Sequence, residues 1–385
     1  MNRLVIIGNG FDLAHGLETS YKNFIDWYWR KWVLDLCNNH SRIAEDVLCR
    51  WELINTNPIE PITWYLLTFQ QGFFRFSDPM IFKEQIENSP DFCIISKSLL
   101  LDRITKNIET KGWTDIESDY YELLKTNVRS IKRQEIQSTP SSFPKEYLSY
   151  QNRCKKLHEQ LDFLRQKLVD YLNTLDAVQH NEKIHNCIYE NIQEQDIETS
   201  RNFKLPTKFK IGDQNPLENI MLLSFNYTKT ADLYVDNSYK SNVNYIHGSL
   251  EEPNNIIFGY GDEMDKDFQE LIDRNENELL KNSKSIKYLE TSHYRKLLEF
   301  IEGGQFQVYI MGHSCGNSDR TLLNTIFEHQ NCISIKPFCY FNEKGEDNYS
   351  ELTRNIYRNF TDKKLFRDRV VNKERCTTLD GNPLI

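Results

Sequence analysis

The amino-acid sequence predicts an α/β protein in which a parallel sheet carries a large α-helical insertion. An apolar, β-branched run at residues 3–7 is bounded by glycine, as is typical of a buried strand. Five further strand-like runs return after residue 219, and a charged helical stretch at 263–302 lies among them. Short apolar strands that alternate with helices are typical of a parallel sheet.

The chain begins with the pattern of a strand, a glycine turn, a short connection and a helix. RLVII at residues 3–7 is the strand, and Gly8-Asn9-Gly10 interrupts it. Aromatic and apolar residues then recur at helical spacing, which predicts a helix over 19–36. Thr19 or Ser20 is the expected N-cap of this helix.

Glycine is scarce between residues 42 and 200, and long amphipathic stretches dominate this region. Leucines spaced three or four apart over 157–172 form one apolar stripe, opposite a charged face. We therefore expect 42–200 to be a mainly α-helical insertion or cap, with a break at 138–144. Residues 1–41 and 201–345 would form the core, and 346–385 a C-terminal extension.

Composition excludes several classes of protein. The formal net charge of −9 gives no global basic footprint for nucleic acid. No run of about 18 apolar residues exists, so no membrane span is expected, and no secretory signal is visible. The nine cysteines are scattered without a CxxC pair, which favours free thiols in the cytoplasm and argues against a cysteine zinc site.

Polar and glycine residues follow each predicted strand. The carboxyl ends of parallel strands meet at one edge of a sheet, where ligands gather. The sequence therefore predicts a site at this edge. The groups that follow the strands are Gly8-Asn9-Gly10-Phe11-Asp12, Asn226-Tyr227-Thr228, His247-Gly248-Ser249, Gly259-Tyr260-Gly261-Asp262-Glu263 and Gly312-His313-Ser314.

The first glycine turn has two interpretations. Gly8 and Gly10 would let the backbone approach a phosphate, whose charge the backbone N–H groups would satisfy. The spacing is G-x-G-x5-G, which differs from the G-x-G-x-x-G dinucleotide fingerprint. A tight strand-to-helix turn without a ligand would have the same sequence.

His247 and Asn226 are the candidate catalytic residues. A neutral imidazole can accept a proton, and an amide can orient a ribose or a water molecule. The alternatives are a hydrogen-bonded structural histidine and a turn asparagine. Asp262 and Glu263 could contact a cation, although a solvent-exposed loop is the simpler interpretation.

Two further groups are interpreted as structural. GHSCG is one residue too long for a G-x-S-x-G nucleophile elbow, so we expect Cys315 to be a buried thiol. Ser318 or Asp319 is expected to cap a helix that starts near Arg320. WTDIE at 113–117 is interpreted as a helix start with Trp113 in the core; the alternative places Asp115 or Glu117 over the pocket.

Six motifs together resemble the AbiH family of bacteriophage abortive-infection proteins. They span the chain from Leu4 to about Leu323. This resemblance implies a role in antiviral defence. The motifs are LVIIGNGFDLAHGLETSY, WTDIESDYYELL, FNYT, YIHGS, FGYGDE and VYIMGHSCGNSDRTLL.

A more distant resemblance to sirtuin-like domains implies a Rossmann-like sheet of that type. Sirtuins hold NAD+ with glycines, position ribose and water with an asparagine, and use a histidine as the base. Glu18 and Tyr21 stand where sirtuins have proline and arginine, and the four zinc cysteines are missing, so zinc and protein deacylation are not expected. The roles transfer by similarity to the following residues: Gly8, Gly10, Asn226, His247, Gly312 and Ser314.

The resemblance implies that the chain is an NAD+ glycohydrolase, with His247 and Asn226 as catalytic residues. NAD+ would be substrate or ligand, and a phage-derived trigger or partner protein and a homo-oligomer are expected. Two alternatives stay open: a nucleotide-sensing module without turnover, and a metal-dependent phosphoesterase or nuclease that uses Asp12, His247 and Asp262. The predicted cofactor-binding residues are Gly8, Asn9, Gly10, Phe11, Asp12, Gly312 and Ser314.

Overall fold

The computed structural model describes residues 1–38, 43–53, 92–139, 141–197 and 217–384. The strands in these ranges are β1 (Asn2–Ile7), β2 (Ile43–Glu45), β3 (Cys49–Leu53), β4 (Phe92–Ser96), β5 (Asn219–Ser224), β6 (Lys240–Tyr245), β7 (Phe306–Met311) and β8 (Cys332–Phe338). The α-helices are α1 (Asn9–Ala14), α2 (Tyr21–Asn38), α3 (Leu99–Lys111), α4 (Ile116–Gln137), α5 (Phe143–Leu172), α6 (Glu182–Tyr189), α7 (Lys266–Asp273), α8 (Lys284–Lys287), α9 (His293–Glu302), α10 (Arg320–Phe327), α11 (Tyr349–Arg358) and α12 (Lys363–Arg369).

Five strands form a parallel sheet in the order β6-β5-β1-β7-β8. Each neighbouring pair is parallel, so the predicted α/β class and parallel sheet are confirmed. The chain adds strands on one side of β1 and then returns to add β7 and β8 on the other. The strand order therefore reverses between β1 and β7, and in open α/β sheets the crevice at such a point is where ligands bind.

Strands β1, β5, β7 and β8 are buried on both faces, which explains their continuous apolar runs, whereas edge strand β6 is partly exposed. On one face, Leu4 and Ile6 of β1 belong to a core cluster with α9, α10 and α11. On the other face, Val5 and Ile7 pack with Phe11 and with residues of α6. Because neighbouring residues of a strand point to opposite faces, β1 holds the two layers of helices together.

The chain divides into two compact units. The sheet unit comprises Met1–Glu18, Leu175–Glu270 and Asn282–Ile385, and the helical unit comprises Thr19–Thr174 and Leu271–Lys281. The segment Leu271–Lys281 thus lies in sequence between two stretches of the sheet unit but belongs to the helical unit. No helix in the described ranges is long and apolar enough to cross a membrane.

The helical unit contains a feature that the sequence did not predict. Strands β2, β3 and β4 form a small antiparallel sheet inside the region expected to be helical. Its strands have only three to five residues, which is too short for a period-two pattern to stand out. The predicted leucine stripe is confirmed, because Leu157, Leu161, Leu164 and Leu168 are all buried along α5.

Helix ends were predicted with mixed success. Ser20 caps α2, since its Oγ accepts the backbone N–H of Asn23 at 3.1 Å. Asp115 caps α4 by accepting the N–H of Ser118 at 3.1 Å. The prediction that Trp113 lies in the core is wrong, because 62% of this residue is exposed. The amphipathic register of α4 begins only at Ile116, and the tryptophan precedes it.

The strand predicted at 255–261 is also not present. This stretch is a loop whose Tyr260 makes a single parallel bridge to Ser283. Ile257 and Phe258 are buried, so the apolar run reflects packing and not strand pairing. A Cβ atom on Gly259 would lie 2.1 Å from the carbonyl oxygen of Asn282, so the glycine allows the segment at 282–284 to approach the loop.

Candidate functional site

The turn after β1 and the loop after β7 are in direct backbone contact. The Gly8 N–H donates to Met311 O at 3.2 Å, and the Gly10 N–H donates to Gly312 O at 2.8 Å. A Cβ atom on Gly8 would lie 2.5 Å from the Cα of His313. Gly312 has φ of +75°, which favours glycine. These glycines are therefore required for the close approach of the two loops, and their part in cofactor binding stays a prediction.

Asn226 reaches this contact from the end of β5. Its Nδ2 donates to the carbonyl oxygen of Gly8 at 3.0 Å. The amide therefore ties the loop after β5 to the turn after β1. The structure thus brings Gly8, Asn226 and His313 together, as expected from the convergence of parallel strand ends.

His247 lies just beyond β6, and only 4% of it is exposed. Its ring packs edge-on against Phe225 with centroids 5.0 Å apart. The Nε2 atom lies 3.1 Å from Tyr288 Oη and 3.4 Å from Asp319 Oδ1. Burial, together with the Lys284 ammonium, lowers the pKa of His247 to about 3. The imidazole is therefore neutral at physiological pH.

Asp319 is the centre of the cluster. Lys284 Nζ donates to Asp319 Oδ1 at 2.7 Å, and His313 Nε2 lies 3.5 Å from Oδ2. Burial alone would raise the pKa of the Asp319 carboxyl, but Lys284, His247 and His313 outweigh burial and hold the pKa below its ordinary value. The carboxylate is thus ionised and shared by one ammonium group and two imidazoles.

His313 is fixed in one tautomer by its own loop. The N–H of Cys315 donates to His313 Nδ1 at 3.0 Å, so the ring proton is assigned to Nε2, which faces Asp319. Cys315 is buried as predicted, and burial raises the pKa of its thiol. A protonated, inaccessible thiol is a poor nucleophile. Ser314 is exposed, and its carbonyl oxygen accepts from Asn355.

The other predicted binding residues of the first turn point in different directions. Phe11 is buried in the core, 5.3 Å from the ring centre of Tyr234, whereas Asn9 is exposed. Asp12 is buried, and its Oδ2 accepts from the Thr228 hydroxyl at 2.6 Å. Burial raises the pKa of the Asp12 carboxyl, although hydrogen bonds such as that from Thr228 oppose the shift.

The position of Asp262 differs from the predicted solvent-exposed loop. It is only 3% exposed, and its Oδ2 lies 3.5 Å from Arg320, so the exposed-loop interpretation is wrong for this residue. The loop is folded against the start of α10, where the Thr321 hydroxyl accepts the N–H of Glu263. Among the described residues, no group of three or more His, Cys, Asp and Glu side chains is arranged to hold a metal ion.

Sequence reasoning missed three members of the cluster. Asp319 was interpreted as a helix cap, and it does occupy the N-cap position of α10 without making a side-chain capping bond. Lys284 and Tyr288 come from a charged stretch that has no motif. For Asp319, a signal was present: this carboxylate lies only six residues after His313, which is close enough in sequence for it to contact the histidine.

Fold and cluster together define a parallel α/β protein with a buried imidazole–carboxylate centre at the edge of its sheet. The model of a family described as bacteriophage abortive infection AbiH matches residues 4–341. This match covers most of the 385 residues, so the chain belongs to the AbiH family. Neither a curated protein nor a solved structure matches the chain.

Proposed function

We propose that this AbiH-family chain acts in abortive infection by binding NAD+ at the crevice between β1 and β7 and hydrolysing its nicotinamide–ribose bond. The observation that carries the proposal is the His247–Asp319 pair, which lies among the carboxyl ends of the strands. A histidine oriented by a buried carboxylate is a recurrent arrangement for a general base. Depletion of NAD+ would stop the infected cell from supporting phage.

The order of the strands supports a nucleotide ligand. Counted along the chain within the sheet, the order is 3-2-1-4-5, which is that of Rossmann-like nucleotide-binding sheets. The contact of Gly8 with Gly312 and His313 lies at the point where this order reverses. We propose a core of the sirtuin-like type because Gly8-Asn9-Gly10, His247-Gly248 and Gly312-His313-Ser314 are similar to sirtuin motifs.

The proposed chemistry uses the two nitrogens of His247 differently. Because the ionised Asp319 is an acceptor, Nε2 carries the ring proton and Nδ1 is the free base. Water attacks C1′ of the nicotinamide ribose, the C1′–N bond breaks with its electron pair on nicotinamide, and Nδ1 takes the proton of the water. Asp319 then stabilises the imidazolium ion. Asn226, next to Gly8, orients the ribose or the water.

The test is nicotinamide release by the purified protein. A general base contributes about 10²–10⁴-fold to a rate, so His247→Gln should lose most turnover while its melting temperature stays close to that of wild type. His293→Gln changes a histidine outside the cluster and should keep full activity. Cys315→Ser should also stay active, which would exclude a thiol nucleophile. Full activity in His247→Gln would contradict the assignment.

A second candidate function is a nucleotide-binding module without turnover. The observation that favours it is the pKa of His247 near 3, since a base so weak is a poor match for catalysis near pH 7. Calorimetry with NAD+ separates the two functions. Saturable binding without release of nicotinamide, with and without extracts of phage-infected cells, would favour the binding module.

A further inference from the structure

One residue of the cluster has no counterpart in any motif of the sequence. Lys284 is fully buried at the start of α8, a helix of only four residues. Its ammonium group makes the shortest contact to Asp319, at 2.7 Å, whereas the two imidazole nitrogens lie at 3.4 and 3.5 Å. A buried lysine is rare, because desolvation of an ammonium is costly unless a partner compensates for it.

The FGYG motif explains how Lys284 is held in place. The backbone N–H of Lys284 donates to Tyr260 O at 3.0 Å, and the Tyr260 N–H donates to Asn282 O at 3.1 Å. Gly259 permits this contact because any side chain would collide with Asn282. The loop at 255–261, which was predicted to be a strand, therefore binds the segment at 282–284 through backbone hydrogen bonds.

The charges of the cluster balance only when Lys284 is present. Asp319 contributes one negative charge and Lys284 one positive charge. The groups that face His247 are Asp319, His313, Lys284 and the Tyr288 hydroxyl. If the ammonium were removed, the buried carboxylate would attract a proton to a neighbouring imidazole, because an uncompensated buried charge costs several kcal/mol.

We infer that Lys284 is the positioning residue of the site: its ammonium group compensates the Asp319 carboxylate and thereby keeps His247 an uncharged imidazole that can accept a proton. This inference deepens the proposed function, since His247 is the proposed base. Its central test nevertheless needs no substrate.

The experiment is an NMR titration of the histidine rings in the full-length protein, with His247 assigned through the signal missing from His247→Gln. In wild type, His247 should show no titration between pH 5 and pH 8. In Lys284→Met, which removes the charge and keeps an unbranched side chain, the midpoint of His247 should rise from about 3 toward the ordinary histidine value of about 6.5, with burial opposing the rise. Lys284→Arg should behave as wild type.

A matched control is available in the same sheet. Lys336 is also buried and pairs with Asp196 at 3.0 Å, and it is not among the charged groups that face His247. Lys336→Met should therefore leave the His247 signal unchanged. If Lys284→Met does not fold, Lys284→Gln serves in its place. A His247 ring that titrates near pH 6.5 in wild type, or that stays neutral when Lys284 is uncharged, would overturn the inference.

Activity gives a second, separable result. If NAD+ is cleaved, the wild-type rate should hold between pH 7 and pH 5.5, whereas that of Lys284→Met should fall about tenfold per pH unit below its new midpoint. A wild type without turnover would refute the proposed hydrolase but would leave the titration result standing. Identical pH profiles in the two proteins would count against the inference.

Discussion

Gly8 is the residue at which the turn after β1 comes closest to the loop after β7. Its φ of −127° suits any residue, so only space requires glycine here. Gly8→Ala would place a methyl group 2.5 Å from the His313 Cα, and we expect a loss of about 1–3 kcal/mol or more in stability. Urea or thermal unfolding measures this loss.

The control for Gly8 lies in the same loop as His313. Gly316 has φ of −67°, and the atom nearest to a Cβ added at this residue would be Ser314 Oγ, at 3.6 Å. Gly316→Ala should therefore be neutral or stabilise by up to about 1 kcal/mol. Equal destabilisation by the two substitutions would contradict the close-approach argument.

The lowered pKa of His247 predicts how the stability of the protein depends on pH. Burial lowers its folded-state pKa to about 3, whereas an unfolded histidine has a pKa of about 6.5. Below about pH 6.5 the unfolded chain binds a proton at His247 that the folded chain does not bind. The contribution of His247 to the free energy of unfolding is therefore complete above about pH 6.5 and is lost as the pH falls toward the folded-state pKa. At pH 5 the loss from this residue should reach about 2 kcal/mol.

The comparison of wild type with His247→Gln isolates this effect. Other histidines, such as His158 and His293, also have a pKa lowered mainly by burial, and they contribute equally to both proteins. The variant should lose less stability than wild type between pH 7 and pH 5. Parallel losses in unfolding experiments would show that His247 is charged in the folded state.

Single residues of the site were predictable where they follow strands. The sequence predicted that Gly8, Asn226 and His247 lie at one edge of the sheet, because parallel strands bring their ends together, and their roles stay a prediction. Asp319 was placed at the right position but given the wrong role, since an aspartate before a helix is most often a cap. Lys284 could not be predicted, because its burial depends on a loop that docks on Gly259, 25 residues earlier in the sequence.

Among the elements, the small sheet of the helical unit depends on one turn. Asp46 Oδ2 accepts from Tyr28 Oη and Trp32 Nε1, both at 2.8 Å. Its Oδ1 accepts the backbone N–H of Leu48 and of Cys49. The carboxylate therefore joins helix α2 to the hairpin of β2 and β3.

Asp46→Ala should destabilise the helical unit by about 2–4 kcal/mol, because it removes the acceptor shared by four N–H and O–H donors. Hydrogen exchange of β2 and β3 measures the effect. Glu45→Ala, which removes the neighbouring exposed carboxylate with its ion pairs to Arg50 and Lys97, should change little. Equal increases in hydrogen exchange of β2 and β3 in the two variants would contradict a stabilising role of the Asp46 network.

Elements were predictable in proportion to their length. The thirty residues of α5 carry a long leucine stripe, and β1 carries an uninterrupted apolar run. Strands β2 and β3 have too few residues for a pattern, and turn contacts such as those of Asp46 stabilise them. The run at 255–261 has strand composition but packs as a loop, because tertiary contacts outweigh local propensity.

For the molecule as a whole, the segment Leu271–Lys281 belongs to the helical unit, although the sheet unit precedes and follows it in the sequence. Arg274 pairs with Glu135 at 3.0 Å and with Glu276 at 2.9 Å, and its side chain is only 15% exposed. Arg274→Ala should therefore raise hydrogen exchange and protease sensitivity of 271–281 selectively. Lys281→Ala, whose ion pair with Asp162 is long and exposed, is the matched control. Unchanged protection in Arg274→Ala would refute this role.

The path of the chain through this segment has a mechanical consequence. Only Asn282 and Ser283 separate Lys281, at the end of the helical unit's segment, from Lys284 at the Asp319 centre. A tether of three peptide steps has at most about 11 Å of reach, so it offers little slack. A displacement of 271–281 by more than this reach would therefore also move Lys284, whose ammonium group contacts Asp319.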